Sequence, residues 1–218
     1  MNSPIIQLLV LAGIAVFLIL RLRSVLGTRD GFEKPAEPRP LERRSGPDLS
    51  VIDGTPDPDI TDHVKAESAA AKALAAMKRK EPDFNVGDFV HGAGAAYEMI
   101  LMAFERGDLS QVKPFLDPEI YDAFAAVVED RHQKGLTVEA KFVGLSQIEI
   151  DEALFDEATG EADISVRFQG ELTYQVRDKS GEVVEGNDTS VKRQKDVWTF
   201  SRQLGTNDPN WLLVATGE

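Results

Sequence analysis

The sequence feature that most constrains the fold is a long stretch of strict alternation between residues 162 and 176. Every second residue is apolar or glycine and every residue between is polar; the first set is Ala162, Ile164, Val166, Phe168, Gly170, Leu172, Tyr174 and Val176. A period of two is the pattern of a β-strand with one buried face. At about 3.3 Å per residue the stretch would extend roughly 50 Å, so we predict a bulge or sharp bend at Gly170.

Shorter patterns on either side predict the rest of an antiparallel sheet. Residues 178–181, DKSG, are typical of a hairpin turn. The other predicted strands are Val138–Ile150, with a slip in the alternation near Gly144, then Val191–Leu204 and Trp211–Ala215.

Two amphipathic helices are predicted before the sheet, and capping residues mark their ends. Asn85 precedes the first helix and Gly107 ends it. The second begins at Asp117-Pro118 and ends at Gly135, with a short helical turn predicted at residues 109–116. Helices followed by an antiparallel sheet indicate an α+β domain, with the helices packed on one face of a curved sheet.

An alanine-rich segment, Thr61–Lys80, predicts a further helix with a thin apolar stripe. Its last turn is basic, which suits the helix dipole. Such a helix could lie on a membrane surface through its cationic side chains, or pack on a partner or on its own domain. The sequence leaves these alternatives open.

An apolar segment near the N-terminus predicts a membrane anchor. Pro4–Leu20 contains one polar side chain, Gln7, and as a helix it spans about 25 Å, slightly less than a hydrocarbon core of roughly 30 Å. The apolar residues that follow close the gap. A cleaved signal peptide is the alternative, but the basic residues follow the apolar segment rather than precede it. The residues predicted in the span include Pro4, Ile5, Leu8, Leu11, Phe17 and Leu20.

Three basic residues flank the C-terminal side of the predicted span. Arg21, Arg23 and Arg29 are expected at the membrane interface, where long cationic side chains reach the headgroups. By the positive-inside rule the N-terminus would face out and the C-terminal domain would be cytoplasmic.

A proline-rich linker is predicted between anchor and domain. Residues 28–60 hold six of the eleven prolines and few large apolar side chains, a composition that cannot bury enough surface to fold. The predicted organisation is a transmembrane anchor at 1–27, a disordered linker at 28–60, an amphipathic connecting helix at 61–82 and a folded domain at 83–218.

The composition excludes several classes of function. Residues 1–46 carry a formal charge of +3 and the remainder −16, for a total of −13, which argues against nucleic acid as a partner. The chain has no Cys and three His that lie far apart, so Cys-ligated metals and thiol chemistry are excluded and a multi-His metal centre is not expected. Phosphate-loop, GxSxG and HExxH motifs are absent from the sequence. We therefore predict no cofactor, no metal site and no catalytic residue.

Two features keep a cavity function open. Glu98, Glu105 and Asp130 lie on helices that carry the core face, and a carboxylate buried between helices and sheet could act as a base, although acidic residues on such helices are usually solvated. A ligand cavity could be lined by Tyr97, Ile100, Phe104, Phe168, Tyr174 and Trp198. The alternative is that these side chains simply fill the core.

Three segments carry a family resemblance. These are IIQLLVLAGIAVFLILRLRSVLGTRDGFEKP at the start, AYEMILMAFERGDL followed by PFLDPEIYDAF in the helices, and DVWTFSRQLGTNDPNWLLVAT at the end. Together they resemble the bacterial membrane-anchored members of the Tim44-like domain family, over the anchor and residues 84–218. Their order and spacing are specific for the family but contain no catalytic signature.

The resemblance implies an NTF2-like or cystatin-like fold and a single-pass adaptor in the bacterial inner (cytoplasmic) membrane. Such an adaptor would recruit protein partners in protein translocation or membrane-protein assembly, with anionic phospholipid as a further partner. The mitochondrial relative recruits an Hsp70 motor to a translocase and associates with cardiolipin-containing membranes. The alternatives are binding or transport of a lipid or small apolar ligand in the cavity and, third, an isomerase-like enzyme on the same scaffold.

Overall fold

The computed structural model describes residues 57–217. The predicted anchor, its interfacial arginines and most of the predicted linker lie outside these residues. Within residues 57–217, no helix is both long and apolar enough to span a bilayer.

In the described part of the chain, four α-helices precede a sheet of four strands. The helices are α1 (Pro58–Thr61), α2 (Ala69–Lys80), α3 (Val86–Arg106) and α4 (Pro118–Lys134), with a 3-10 turn at Lys113–Phe115. The strands are β1 (Thr137–Phe155), β2 (Glu161–Arg177), β3 (Val183–Gln203) and β4 (Leu212–Gly217). They form one curved antiparallel sheet in the order β1-β2-β3-β4. The predicted α+β class is confirmed.

The helix ends follow from the capping residues. The side chain of Asn85 accepts a hydrogen bond from the backbone N–H of Asp88 at 2.8 Å. Gly107 and Gly135 end α3 and α4 with φ of 75° and 68°, a left-handed conformation that glycine adopts without strain. These predicted ends are confirmed. α2 begins at Ala69 rather than at Thr61, because Ser68 caps it by accepting the N–H of Ala71 at 3.0 Å.

A short helical turn ties the start of the described chain to α3. The Asp59 carboxylate in α1 accepts the N–H of Val86 at 2.9 Å and that of Gly87 at 3.0 Å. Lys78 approaches the same carboxylate at 2.6 Å. Burial opposes ionisation of Asp59, but these partners outweigh it and hold its pKa below the usual value. α1 therefore acts as a second cap on the N-terminus of α3.

The alternation at residues 162–176 produces the predicted strand, and the bulge predicted at Gly170 occurs in its pairing with β1. Its extra residue is Ser146 on β1, opposite Gly170, whereas β2 pairs continuously with β3 through Gly170. Gly170 is also a point of close approach, because a Cβ there would lie 2.8 Å from Oη of Tyr97. The slip predicted near Gly144 is confirmed as a register shift between Phe142 and Gly144.

The core lies between the inner face of the sheet and the helices. The inward residues of β2 from Ala162 to Leu172 are buried, and α2 and α3 pack on β1. Aromatic rings dominate the centre; they come from Phe89, Tyr97, Phe168, Trp198 and Phe200. Full burial of such a side chain stabilises the fold by about 1.5–3 kcal/mol, so this cluster holds helix and sheet together.

β3 begins earlier than its sequence predicts and is much longer than β4. The structure starts it at Val183 rather than at Val191, and the added residues are exposed on both faces, which explains their lack of alternation. β4 pairs only with Val197–Ser201. Within the described residues, the outer edge of β3 before this segment has no neighbouring strand.

Candidate functional site

The six side chains predicted as cavity-lining lie in four different environments. Tyr97, Phe168 and Trp198 are buried against one another, with ring centroids 4.4 Å apart for Tyr97–Phe168 and 4.7 Å for Tyr97–Trp198. Ile100 is buried at the floor of a surface cleft. Phe104 packs on Phe124 at 4.8 Å. The sixth, Tyr174, lines a smaller pocket.

The phenol of Tyr97 has a specific partner inside the core. Its Oη donates a hydrogen bond to Oδ2 of Asp196 at 2.5 Å. Burial, followed by this bond to a carboxylate, raises the pKa of Tyr97 far above its ordinary value. The phenol therefore stays neutral, and its role is to fix α3 on the sheet.

One surface cleft has mostly apolar walls and a volume of about 490 Å³, and we call it the α3 cleft. It lies between α3, the segment before α3, the 3-10 turn, the end of β3 and the loop that precedes β4. Its apolar floor and walls include Phe84, Phe89, Ala96, Ile100, Phe115 and Trp211. Trp211 contacts Phe89 and Phe84, with ring centroids 4.8 and 6.0 Å apart. The cleft is therefore a preformed surface with aromatic walls.

Small side chains on α3 keep the α3 cleft open. Gly92, Ala95 and Ala96 face it, and a Cβ at Gly92 would meet nothing within 4 Å. One turn further on, Met99 also lines the cleft and is 39% exposed. Large side chains at the small positions would fill the space that a partner could occupy.

The polar wall of the α3 cleft is built from a partly buried ion pair. Arg202, with a side chain only 11% exposed, contacts Glu81 at 2.7 Å and donates its Nε to the carbonyl of Asp208 at 3.0 Å. Asp83 and Asp88 line the same end of the cleft and are exposed. Since Arg202 and Glu81 neutralise each other, the remaining charge of the cleft is acidic.

A second pocket of about 210 Å³, which we call the hairpin pocket, lies where the C-terminal ends of α3 and α4 meet the sheet. Its apolar residues are Leu136, Val138, Leu172 and Val176. Its polar residues are Glu105, Arg131, Tyr174, Glu185, Lys192 and Gln194. The pocket thus combines an apolar floor with charged walls of both signs.

The charged groups of the hairpin pocket are held by specific contacts. Burial raises the pKa of Glu105, and the nearby charges of Arg131 and Lys192 oppose this shift. Arg131 lies 3.5 Å from Glu105 and above the ring of Phe104 at 4.6 Å. Lys192 lies over the ring of Tyr174 at 4.9 Å. The opposed charges leave the pocket without a net field that would favour an anion or a cation.

The remaining acidic candidates stand apart from both cavities. Glu98 is exposed, and Asp130 pairs with Lys134 at 2.5 Å on the surface of α4. His91 and His132 are exposed as well. Among residues 57–217, no group of three or more acidic, His or Cys side chains could hold a metal ion.

Sequence reasoning missed the α3 cleft because its walls come from segments far apart in the chain. Phe84, Phe115 and Trp211 lie before α3, between the helices and after β3, and no local pattern joins them. The available signal was the run of small residues on α3, from Gly92 to Ala96, on the side of the helix that carries Met99.

Comparison with known proteins identifies the family. Mitochondrial import inner membrane translocase subunit TIM44-1 of Arabidopsis thaliana is 22% identical over 162 residues, which cover 71% of this chain but only 34% of that protein. The intermembrane space region of chloroplast protein ARC6 shares 12% identity, with a TM-score of 0.39 over 59% of this chain and 94% of that one; this likeness is too low to bear on fold or function. The family described as Tim44-like domain matches residues 70–218. The chain therefore belongs to the Tim44-like domain family.

Proposed function

We propose that the protein is a non-catalytic adaptor that holds a protein partner at a membrane, and that the α3 cleft binds this partner. Family membership supports the general role, since the Arabidopsis relative is named as a subunit of an inner membrane translocase. The observation that carries the proposal is the open apolar cleft beside the half-buried Trp211 and the exposed Met99. Aromatic residues and Met are enriched where proteins bind one another.

The attachment to the membrane is the part of the proposal that rests on the sequence. The apolar segment Pro4–Leu20, followed by Arg21 and Arg23, would anchor the chain as a single span in an inner membrane. Residues 28–60 would then allow a root-mean-square reach of about 30 Å if they behave as a flexible coil. Such a tether raises the effective concentration of the domain near the bilayer without any catalysis.

A crosslinking experiment tests the α3 cleft. A photo-crosslinking amino acid would replace Met99 in the cleft or Val127 on the exposed side of α4, where the native side chains are 39% and 41% exposed. The full chain would be irradiated in its native membranes and its adducts identified by mass spectrometry. We expect a protein adduct from position 99 that is absent from position 127. Equal adducts at both positions would contradict a specific site.

A cleft-filling substitution, combined with the crosslinker at position 99, tests the same site. Gly92→Leu places a large side chain in the α3 cleft, where the structure leaves room for it, and leucine favours the helix more than glycine does. Ala123→Leu on the exposed face of α4 is the matched control. We expect Gly92→Leu to abolish the adduct at position 99 while Ala123→Leu preserves it. An adduct that survives Gly92→Leu would remove the cleft from the proposal.

Binding of a lipid or small apolar ligand in the α3 cleft is the second candidate function. It is supported by the volume of about 490 Å³, which lies within the range of small-molecule sites at roughly 300–1,000 Å³. Native mass spectrometry of the purified full chain distinguishes the two. A small molecule retained by the protein and lost with Gly92→Leu, in the absence of a protein adduct, would favour the ligand over the adaptor.

A further inference from the structure

The outer edge of β3 is an unused hydrogen-bonding surface. β4 covers β3 only at Val197–Ser201, and in the described part of the chain no strand lies beside residues 191–195 on that edge. Val191, Lys192, Arg193 and Lys195 are exposed. In an antiparallel strand every second residue points its backbone N–H and C=O away from the existing neighbour. This short segment can therefore accept an additional strand.

The edge is basic, although the whole chain carries a charge of −13. Three of the five residues from Val191 to Lys195 are cationic. Arg193 donates a hydrogen bond from Nε to Glu171 at 2.9 Å. Within residues 57–217, the two terminal nitrogens of Arg193 have no hydrogen-bonded or ion-paired partner, and Lys195 has none either. Arg193 and Lys195 both lie on the outer face of the sheet, since Trp198 and Phe200 occupy the inner face.

The same charges disfavour a second copy of the chain as the added strand in any register centred on this segment. Antiparallel pairing places residues of the same face opposite each other. Any register centred between Lys192 and Lys195 would then oppose two cations, such as Arg193 with its own copy or with Lys195. Like charges directly opposite one another destabilise a strand pair. The partner strand must instead carry acidic residues at these positions.

The inner side of the edge adjoins the hairpin pocket. Lys192 and Gln194 point to this side and line the pocket together with the apolar Leu172 and Val176. A residue opposite Gln194 in an added strand would point the same way. Glu105 and Glu185 line the pocket opposite Arg131 and Lys192, so a charged side chain of either sign gains nothing there. An apolar side chain suits the floor of this pocket.

We propose that residues 191–195 bind an extended segment of a partner protein by strand addition, in which two acidic residues oppose Arg193 and Lys195 and the apolar residue between them enters the hairpin pocket. Backbone hydrogen bonds would supply affinity, while the alternating side chains would supply specificity. This surface shares no residue with the α3 cleft, so it stands independently of the function proposed above.

Synthetic peptides test the proposal on the full chain held in phosphatidylcholine nanodiscs. The probe is the capped peptide Thr-Thr-Glu-Leu-Glu-Thr-Thr, and hydrogen exchange of the backbone amides reports where it binds. We expect slower exchange at residues 191–195. Two control peptides should not bind: one with lysine for both glutamates, and one N-methylated at two consecutive central residues, which blocks an edge-facing N–H in either orientation. Protection confined to the α3 cleft, or no protection, would overturn strand addition.

Charge reversal at a single edge residue tests the specificity of the site. Lys195→Glu should weaken binding of the acidic probe about fivefold or more, because a favourable cross-strand pair becomes a repulsive one. Lys141→Glu is the matched control, since it makes the same charge change on the same face of the sheet but on β1. It should change the affinity less than twofold. Thermal unfolding verifies that both variants are folded. Equal weakening by the two variants would show non-specific attraction and reject the site.

Discussion

The contact between Tyr97 and Gly170 shows how a helix side chain constrains the residue type on the strand it packs against. Tyr97 is fully buried, stacks on Phe168 and donates to Asp196 across the sheet. It can reach this position only because the residue beneath it on β2 lacks a side chain. Gly170 in the alternating pattern therefore marks a close contact between helix and sheet, in addition to the bulge or bend that the sequence alone predicted.

Substitution at this glycine should be costly. Gly170→Ala would place a Cβ 2.8 Å from Oη of Tyr97, and overpacking of a well-filled core costs about 1–3 kcal/mol. Gly144→Ala is the matched control in β1, because a Cβ there would meet nothing within 4 Å. Urea unfolding of the two variants should show a loss of stability for Gly170→Ala only. A loss of the same size at Gly144 would mean that β-strand glycines matter here for their backbone rather than for space.

Among the described α-helices, α1 is the shortest, and its contacts are specific. Asp59 accepts two backbone N–H groups at the start of α3 and pairs with Lys78 of α2, so a single carboxylate joins three helices. The N-terminus of a helix carries a partial positive charge and unpaired N–H groups, which a carboxylate satisfies. α1 thus positions α3, whose exposed face forms the α3 cleft.

Removal of this carboxylate should destabilise the domain in a pH-dependent way. Asp59→Ala leaves the N–H groups of Val86 and Gly87 without their acceptor and leaves Lys78 with Asp57 as its remaining partner, at an expected loss of about 1–3 kcal/mol at pH 7. The pKa of Asp59 is lowered on folding, so its contribution is present above its unfolded pKa of 3.8 and is lost as pH falls through the folded value. Denaturant unfolding at pH 7 and below pH 4 should therefore show a difference from the parent chain that shrinks in acid. The exposed Asp62→Ala serves as control, and a pH-independent loss would contradict the ionic role.

The elements also show where sequence reasoning succeeds. The boundaries of α3 and α4 were predicted because Asn85, Gly107, Asp117 and Gly135 act on their own helix ends. The first part of β3 was missed because it is exposed on both faces, and such a strand needs no alternation. The α3 cleft and the hairpin pocket were missed since each joins residues from distant segments. Helix ends can be predicted from the residues beside them, whereas clefts and pockets formed by the packing of distant segments cannot.

At the scale of the whole molecule, the proposed adaptor separates attachment from recognition. Residues 1–27 would supply the span and residues 57–217 contain the α3 cleft and the β3 edge. An exchange of residues 1–27 for an unrelated single span of the same orientation should therefore leave the protein adduct at position 99 unchanged. Crosslinking in native membranes measures this. Loss of the adduct, with the exchanged chain still present in the membrane at parent levels, would show that the segment itself contacts the partner.

The bond network at Asp59 has a mechanical consequence. A pull on the chain from the N-terminal side of Asp57 reaches α1 before it reaches any strand of the sheet. Tension would fall first on the ion pair of Asp57 with Lys78 and on the bonds from Asp59 to Lys78, Val86 and Gly87, which tie this end of the chain to two longer helices. The aromatic contacts between α3 and the sheet come after these in the path of the force. α1 would therefore be the first element to unfold under tension. Until it unfolds, the sheet and the β3 edge would carry little of the force.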